Sequence, residues 1–251
     1  MFKKFSLMCI LLGCLSVSHA AEYTWTGNAG DNNWSTSNNW DLNNGYYPQS
    51  GSDYAVINPG NATIIWASSR DYYFNAAVQS IKLGAGNTLI FDAENRGGTD
   101  FGFTNITLGG GATFAVLGNG HIGYNKQAGL TINYGTFTAT SHGLFDLSGI
   151  NGYFWNNGQT VTLTGTFDTT GLTESGSFTI YDATGISHQD AAPTFNISGL
   201  SMILADGVTA EIVTSREQVL INYTVAPVPE PTTATLSLLA LAGLAARRRR
   251  K

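Results

Sequence analysis

The chain has 251 residues, of which 12% are charged and 12% are aromatic. Between Glu22 and Glu230 it carries seventeen acidic but only five basic residues, a formal net charge of −12. An acidic surface repels phosphate backbones and polyanionic glycans, so nucleic-acid binding is excluded. Thirty glycines, with short apolar and Thr-rich runs between Gly, Asn and Asp, are typical of an all-β protein and not of a disordered chain.

Residues 1–20 have the pattern of an export signal. A basic start, Lys3-Lys4, precedes a mostly apolar run from Phe5 to Val17, and residues 18–20 read Ser-His-Ala, a small-x-small cleavage pattern. We therefore expect cleavage after Ala20, which removes both cysteines of the chain. The alternative is a lipobox that ends at Cys14, which would carry a lipid there.

Residues 21–60 mix aromatic side chains with turn-forming Asn, Asp and Gly. We expect this segment to cap the open end of a β domain, a common use of Trp in a terminal unit. The same mixture stacks on sugar rings and bonds their hydroxyls, so glycan contact is the second interpretation. The candidate glycan contacts are Trp25, Trp34, Trp40, Tyr46 and Tyr47.

Two segments in the middle of the chain repeat at an offset of 25 residues. Ile81 to Phe91 and Ile106 to Val116 both read Ile-x-Leu-Gly-x-Gly-x-Thr-apolar-x-apolar. A looser pair, residues 135–138 and 165–168, repeats Gly-Thr-Phe at an offset of 30. Each unit predicts a strand, a glycine turn and a strand with one apolar face, which stacked coils bury. The alternative is a β-sandwich with chance Gly-x-Gly turns.

The predicted fold is mainly β: a short parallel β-helix, or β-solenoid, with terminal helices. Its coils are assigned to residues 61–176, after the Trp-rich N-terminal cap. In residues 177–225 the strands lengthen and the repeat fades, which predicts a C-terminal β cap. Three prolines in residues 227–231 then end the sheet, because proline lacks the N–H that a ladder needs.

Residues 226–251 form a separate C-terminal segment with three parts in order. Pro229, Glu230 and Pro231 come first, and Thr232 to Ala246 follow without a charge. As a helix these fifteen residues would be about 22 Å long, against a hydrocarbon core of about 30 Å, which suits transient inner-membrane association. An ordinary membrane anchor is the alternative. The basic end, which the positive-inside rule keeps in the cytoplasm, consists of Arg247, Arg248, Arg249, Arg250 and Lys251.

This ending resembles the PEP-CTERM sorting signal of Gram-negative bacteria. The resemblance implies that an exosortase, a membrane protease, recognises the tail and acts near Pro-Glu-Pro. It also implies the secretion machinery as a partner and delivery to the cell envelope, the outer surface or the extracellular matrix. The body is more weakly similar to autotransporter-type passenger repeats, through Trp25-Thr-Gly, Asn39-Trp40 and the repeated Ile-x-Leu-Gly-x-Gly units, and those repeats generally form surface stalks or adhesins.

Catalytic motifs are few, and we expect neither an enzyme nor a cofactor. His121, His142 and His188 lack zinc-ligand spacing, and no Gly-x-Ser-x-Gly elbow occurs. A glycoside hydrolase needs only two carboxylates at a suitable separation, but solvated turn positions explain the same residues. The candidate carboxylates for such a hydrolase are Asp92, Glu94, Asp100, Asp146 and Asp168.

A bound metal is not expected either, although calcium held by Asp31, Asp41 or Asp53 is left open without an EF-hand or nonapeptide pattern. The sequence favours an exported envelope or surface protein with a structural or adhesive role. A module that binds extracellular polysaccharide is the first alternative, and a glycoside hydrolase built on a β-helix is the second.

Overall fold

The computed structural model describes residues 20–42, 44–58, 60–67, 78–92, 99–101, 103–118, 122–124, 129–149, 153–155, 160–184, 187–188, 193–227 and 240–242. These residues form a mainly β protein, as predicted. The predicted export signal lies outside the described residues, except for Ala20.

Eighteen strands, β1 to β18 in chain order, are present among the described residues. A 3-10 helix, Ser37–Asn39, follows the first strand, and residues 240–242 are α-helical. The strands are β1 Glu22–Thr24, β2 Tyr54–Ile57, β3 Thr63–Ala67, β4 Ser80–Leu83, β5 Thr88–Asp92, β6 Thr99–Phe101, β7 Asn105–Leu108, β8 Thr113–Leu117, β9 Ile122–Tyr124, β10 Leu130–Phe137, β11 Leu144–Asp146, β12 Tyr153–Trp155, β13 Thr160–Asp168, β14 Gly176–Asp182, β15 Ser187–His188, β16 Thr194–Ile203, β17 Val208–Thr214 and β18 Gln218–Val225.

The strands belong to three sheets that the chain visits in rotation. Sheet 1 has the order β1-β2-β4-β7-β10-β13-β16, sheet 2 the order β17-β18-β14-β11-β8-β5-β3, and sheet 3 the order β15-β12-β9-β6. From β4 to β16, successive strands go to sheets 1, 2 and 3 in turn. Neighbouring strands are parallel except in the β14–β18 and β17–β18 pairs, which are antiparallel.

Equivalent residues of the sequence repeat are paired with each other in the register of the sheets. Ile81 pairs with Ile106 between β4 and β7, and Leu89 pairs with Phe114 between β5 and β8. The looser echo also marks neighbours, since Phe137 of β10 pairs with its counterpart Phe167 of β13. The predicted units therefore lie directly against one another, with equivalent residues side by side.

The repeated Gly-x-Gly turn needs its two glycines for different reasons. The first glycine of a unit lies against the turn before it: the Gly109 N–H donates to the Leu83 carbonyl oxygen at 2.8 Å. The second glycine, Gly86 or Gly111, has φ of 72°, a left-handed conformation that favours glycine. One position lets the turns approach closely, and the other lets the chain reverse.

The core is a continuous aromatic and aliphatic cluster between the inward faces of the strands. Alternate residues of β4, β5, β7 and β8 are buried, as the period of two in the sequence predicts. Rings stack from strand to strand along sheet 2, with Phe114 and Phe145 4.8 Å apart and Phe145 and Tyr181 5.7 Å apart. The Tyr134 hydroxyl donates to the Ile180 carbonyl oxygen at 2.7 Å and so joins sheets 1 and 2, and burial raises the pKa of Tyr134.

His142 lies in the turn between β10 and β11 and is partly buried. Its ring packs 4.3 Å from that of Phe178, and its Nδ1–H donates to the Ala139 carbonyl oxygen at 3.1 Å. Burial lowers the pKa of His142 below its ordinary 6.5, because the protonated ring loses solvation. Folding therefore favours the neutral ring.

We expect this histidine to weaken the fold in mild acid. Its contribution to stability is complete above the unfolded-state pKa of about 6.5 and is lost as the pH falls below that value. Urea unfolding between about pH 7 and pH 5 should show a steeper loss of unfolding free energy in the wild type than in His142→Gln. Parallel pH profiles for the two proteins would contradict the assignment.

Candidate functional site

Three of the five aromatic residues predicted to contact glycans are buried together. Trp25, Trp34 and Trp40 are 4%, 0% and 2% exposed. Trp34 stacks on Trp66 of β3, with ring centroids 4.4 Å apart and an interplanar angle of 8°. The Trp40 ring packs edge-on against Trp34 at 4.8 Å and Trp25 at 5.2 Å. These four side chains, the tryptophan cluster, close the N-terminal end of the core.

Two indole N–H groups of the cluster donate hydrogen bonds to backbone carbonyl oxygens inside the protein. The Trp34 Nε1–H donates to the Pro48 carbonyl oxygen at 3.1 Å, and the Trp40 Nε1–H donates to the Trp34 carbonyl oxygen at 2.8 Å. A ring without an exposed face cannot stack on a sugar. The glycan-contact interpretation of Trp25, Trp34 and Trp40 is therefore corrected: tertiary packing uses these rings as core.

The two tyrosines of the same prediction are placed differently. Tyr46 is 58% exposed, whereas Tyr47 is partly buried and packs on the core. Glycan contact stays a prediction for these two residues. A surface depression beside the cluster is lined by Thr26, Asn28, Asn38, Trp40 and Asp41.

Asp31 holds together the loop that covers the tryptophan cluster. Its carboxylate accepts hydrogen bonds from the Thr36 hydroxyl at 2.6 Å, the Asn33 N–H at 3.0 Å and the Asn39 side-chain amide at 2.6 Å. These bonds, the one from Thr36 first, lower the pKa of Asp31 because they favour the charged carboxylate.

The other two acids considered for calcium are likewise bonded to nearby backbone. Asp41 Oδ1 accepts from the Thr24 N–H at 2.8 Å, and Asp53 Oδ2 accepts from the Gln49 and Ser50 N–H groups. Within the part of the chain that the structure describes, no three His, Cys, Asp or Glu side chains are grouped so that they could hold a metal ion.

The carboxylates considered for hydrolysis stand at turns. Asp146 Oδ1 accepts from the N–H and the hydroxyl of Ser148, and Asp168 Oδ1 accepts from the Thr170 N–H at 2.9 Å. The Thr170 side chain and then its backbone lower the pKa of Asp168. Glu94 and the side chain of Asp100 lie outside the described residues. Asp92 is the last residue of β5.

One carboxylate pair was missed from the sequence. Asp146 and Asp182 are register partners on β11 and β14, so their Cα atoms are about 4.8 Å apart. Asp182 Oδ1 is bonded to the N–H and the hydroxyl of Thr184, as Asp146 is to Ser148. Each acid thus accepts hydrogen bonds within its own turn. The two acids are neighbours only because of the strand register. That register cannot be read from the sequence where the repeat is no longer clear.

The C-terminal segment leaves the sheet immediately after β18. The Ala226 N–H donates to the Gly207 carbonyl oxygen at 2.7 Å, and Pro227 is exposed. Pro229, Glu230, Pro231 and the five terminal basic residues lie outside the described residues. Of the predicted terminal helix, residues 240–242 are described as helical, with Leu241 64% exposed. No helix within the described ranges has the length and apolar character needed to cross a membrane.

Residues 227–251 match the family model of the PEP-CTERM protein-sorting motif. The chain carries a PEP-CTERM signal. The prediction made from the Pro-Glu-Pro, apolar and basic parts is thereby confirmed. The PEP-CTERM signal indicates an exported protein that an exosortase sorts to the cell envelope or surface.

No curated protein and no solved structure matches the chain. The autotransporter resemblance of the body stays a prediction. The segment boundary predicted at residue 226 lies where the described sheet ends: Ala226, the last hydrogen-bonded residue beside β18, directly precedes the matched motif. Its partner Gly207, with φ of 74°, belongs to the turn between β16 and β17.

Proposed function

We propose that this chain is a passive surface protein: a β-solenoid body, structural or adhesive in role, which the PEP-CTERM signal delivers to the outer surface or the extracellular matrix. The body acts by its shape and surface and carries no catalytic site.

The order of the strands supports the solenoid. Three sheets are filled in rotation, and equivalent residues of successive coils are register partners, as in the Ile81–Ile106 and Leu89–Phe114 pairs. Each coil therefore buries its apolar face against the next, which is how solenoid proteins form a continuous core.

The observation that carries the proposal is the separation of body and signal. Hydrogen bonding of the last hairpin ends at Ala226, and the matched motif begins at Pro227. Cleavage near Pro-Glu-Pro would remove none of the eighteen described strands. A body that keeps all of its sheets after processing suits a protein that stays where it is delivered and functions there as a scaffold.

The non-catalytic part of the proposal is supported by the use of the acids. Asp146, Asp168 and Asp182 accept hydrogen bonds from residues two positions ahead, the usual role of Asp in an Asx turn. Their carboxylates therefore stabilise the turns in which they lie. Asparagine can accept the same bonds through its side-chain oxygen, so exchanging these acids tests catalysis without removing the turns.

The test is complementation of a strain that lacks the chain, measured as cell attachment to a surface. The intact chain should restore attachment, and a chain without Pro229 to Lys251 should not, because it is no longer sorted. The triple variant Asp146→Asn, Asp168→Asn, Asp182→Asn should restore attachment fully. Mass analysis of the C-terminus from the intact strain should show a chain that ends near Pro-Glu-Pro.

Two results would contradict the proposal. Full attachment with the tail-deleted chain would mean that the role in attachment does not depend on sorting by the PEP-CTERM signal. Loss of attachment in the triple variant, with unchanged thermal unfolding and unchanged amounts at the surface, would point to carboxylate chemistry instead of a passive body.

A further inference from the structure

We propose that the C-terminal end of the body, formed by β16 and β17, is a contact surface for a second copy of this chain. Two chains would meet end to end about a two-fold axis. This inference goes beyond sorting and the scaffold role and depends on neither.

At the N-terminal end of the body, the two seven-stranded sheets are each joined by a further bridge beyond their first strand. Directly after β1, Trp25 forms an antiparallel bridge with Trp40, and the Asp41 N–H donates to the Thr24 carbonyl oxygen at 3.0 Å. The outer side of β3 is covered by a parallel bridge between Asn33 and Ile65. The capping segment thus closes both long sheets at this end.

The C-terminal end differs in both sheets. β16 is the last strand of sheet 1 and β17 is the last strand of sheet 2, and the described residues place no strand beyond either. β16 has ten residues without a charge or a proline. Natural edge strands usually carry such residues to prevent pairing with another chain. β16 has one protective feature, a register shift against β13 between Asn196 and Gly199.

The apolar face of the last coil is incompletely covered. In β13 the inward side chains Val161, Leu163 and Phe167 are at most 1% exposed. The register partners of Val161 and Phe167 in β16 are Phe195 and Met202, and these are only partly buried, as are Ile197 and Leu200 of the same strand. Next to them, Ile203 and Leu204 are each 51% exposed. The core therefore continues to this end without a cover among the described residues.

Three properties of the chain favour a second copy as the occupant. In head-to-tail stacking the open edges of sheets 1 and 2 would meet the bridged N-terminal end, so pairing of these two sheets through open edges joins like ends. A two-fold axis places β16 antiparallel to its own copy, a pairing in which both strands can form ladder hydrogen bonds. The body carries a net charge of −12, so two copies repel least where they meet through an uncharged strand.

The experiment measures the mass of the full chain in a mild detergent by sedimentation velocity over a range of concentrations. We expect two chains per particle for the wild type. The double variant Ile203→Glu, Leu204→Glu replaces exposed apolar side chains with charges at the end of β16 in both chains and should raise the dimer dissociation constant at least about tenfold. The matched control is Ile65→Glu on β3, since Ile65 is 41% exposed at the closed end, and it should leave the dimer intact.

A second measurement needs no variant. Hydrogen exchange of the β16 amides should slow as the wild-type concentration rises, while exchange in β3 should not change. A wild type that stays monomeric at every concentration would overturn the proposal. So would a dimer that survives the double substitution, since the apolar tail would then hold it together, or a mass that keeps growing with concentration. If the β16 amides are protected to the same extent at every concentration, the chain's own C-terminal tail covers β16, and the dimer proposal is overturned as well.

Discussion

Trp34→Ala should lower the free energy of unfolding by about 3–5 kcal/mol, the range for removing a large buried aromatic side chain. Trp34 is fully buried, stacks on Trp66 at 4.4 Å and supports Trp40 at 4.8 Å. The substitution also leaves the Pro48 carbonyl oxygen without its indole donor. Urea unfolding followed by tryptophan fluorescence is the measurement.

Tyr46→Ala is the control for Trp34→Ala. Tyr46 is a large aromatic residue of the same N-terminal segment but is 58% exposed. Its removal should change the unfolding free energy by no more than about 0.5 kcal/mol. Similar losses for the two variants would mean that the tryptophan cluster does not close the core in the way described.

Gly109→Ala should destabilise the body by about 1–3 kcal/mol, the usual range for forcing an extra methyl group into a packed site. A Cβ at this position would lie 2.6 Å from the Ala85 nitrogen and 3.0 Å from the Gly84 carbonyl carbon. Both are backbone atoms of the preceding turn, so the two turns must move apart. Thermal unfolding of the variant measures the loss.

The matched control for Gly109→Ala is Gly60→Ala. There the nearest atom to an added Cβ, the Ala85 carbonyl oxygen, lies at 3.6 Å, an ordinary contact distance. We expect Gly60→Ala to be neutral or slightly stabilising, because alanine restricts the unfolded chain. Equal destabilisation by both substitutions would show that loss of backbone freedom, and not the close approach of the turns, is what Gly109 provides.

The repeat was readable from the sequence only where the turns have constant length. Leu89 and Phe114 are 25 residues apart, and their segments share the pattern Ile-x-Leu-Gly-x-Gly-x-Thr-apolar-x-apolar without a gap. Further on, Phe114 pairs with Phe145 after 31 residues, and Phe145 pairs with Tyr181 after 36. Longer turns hide the period from the sequence, although parallel pairing continues to β16.

The role of the tryptophans was not decidable from composition, because a cap and a sugar-binding surface use the same residue types. Asn and Asp beside the rings suggested hydroxyl recognition. In the structure Asp31 and Asn39 instead hydrogen-bond each other and organise the loop over the rings. Only the three-dimensional path of residues 26–41 shows that the polar atoms face the loop and the rings face the core.

The capped N-terminal end bears on the order in which the strands can assemble during export. Under the predicted export through the N-terminal signal, the first residues cross before the last, and the strands from β5 to β14 in sheet 2 pair with a segment about 25–36 residues behind them. The bridges beside β1 and β3 therefore leave the next strand of sheets 1 and 2 the opposite edge on which to add. We therefore expect that assembly can begin during translocation, because the parallel strands of each sheet pair in chain order up to β16 and β14.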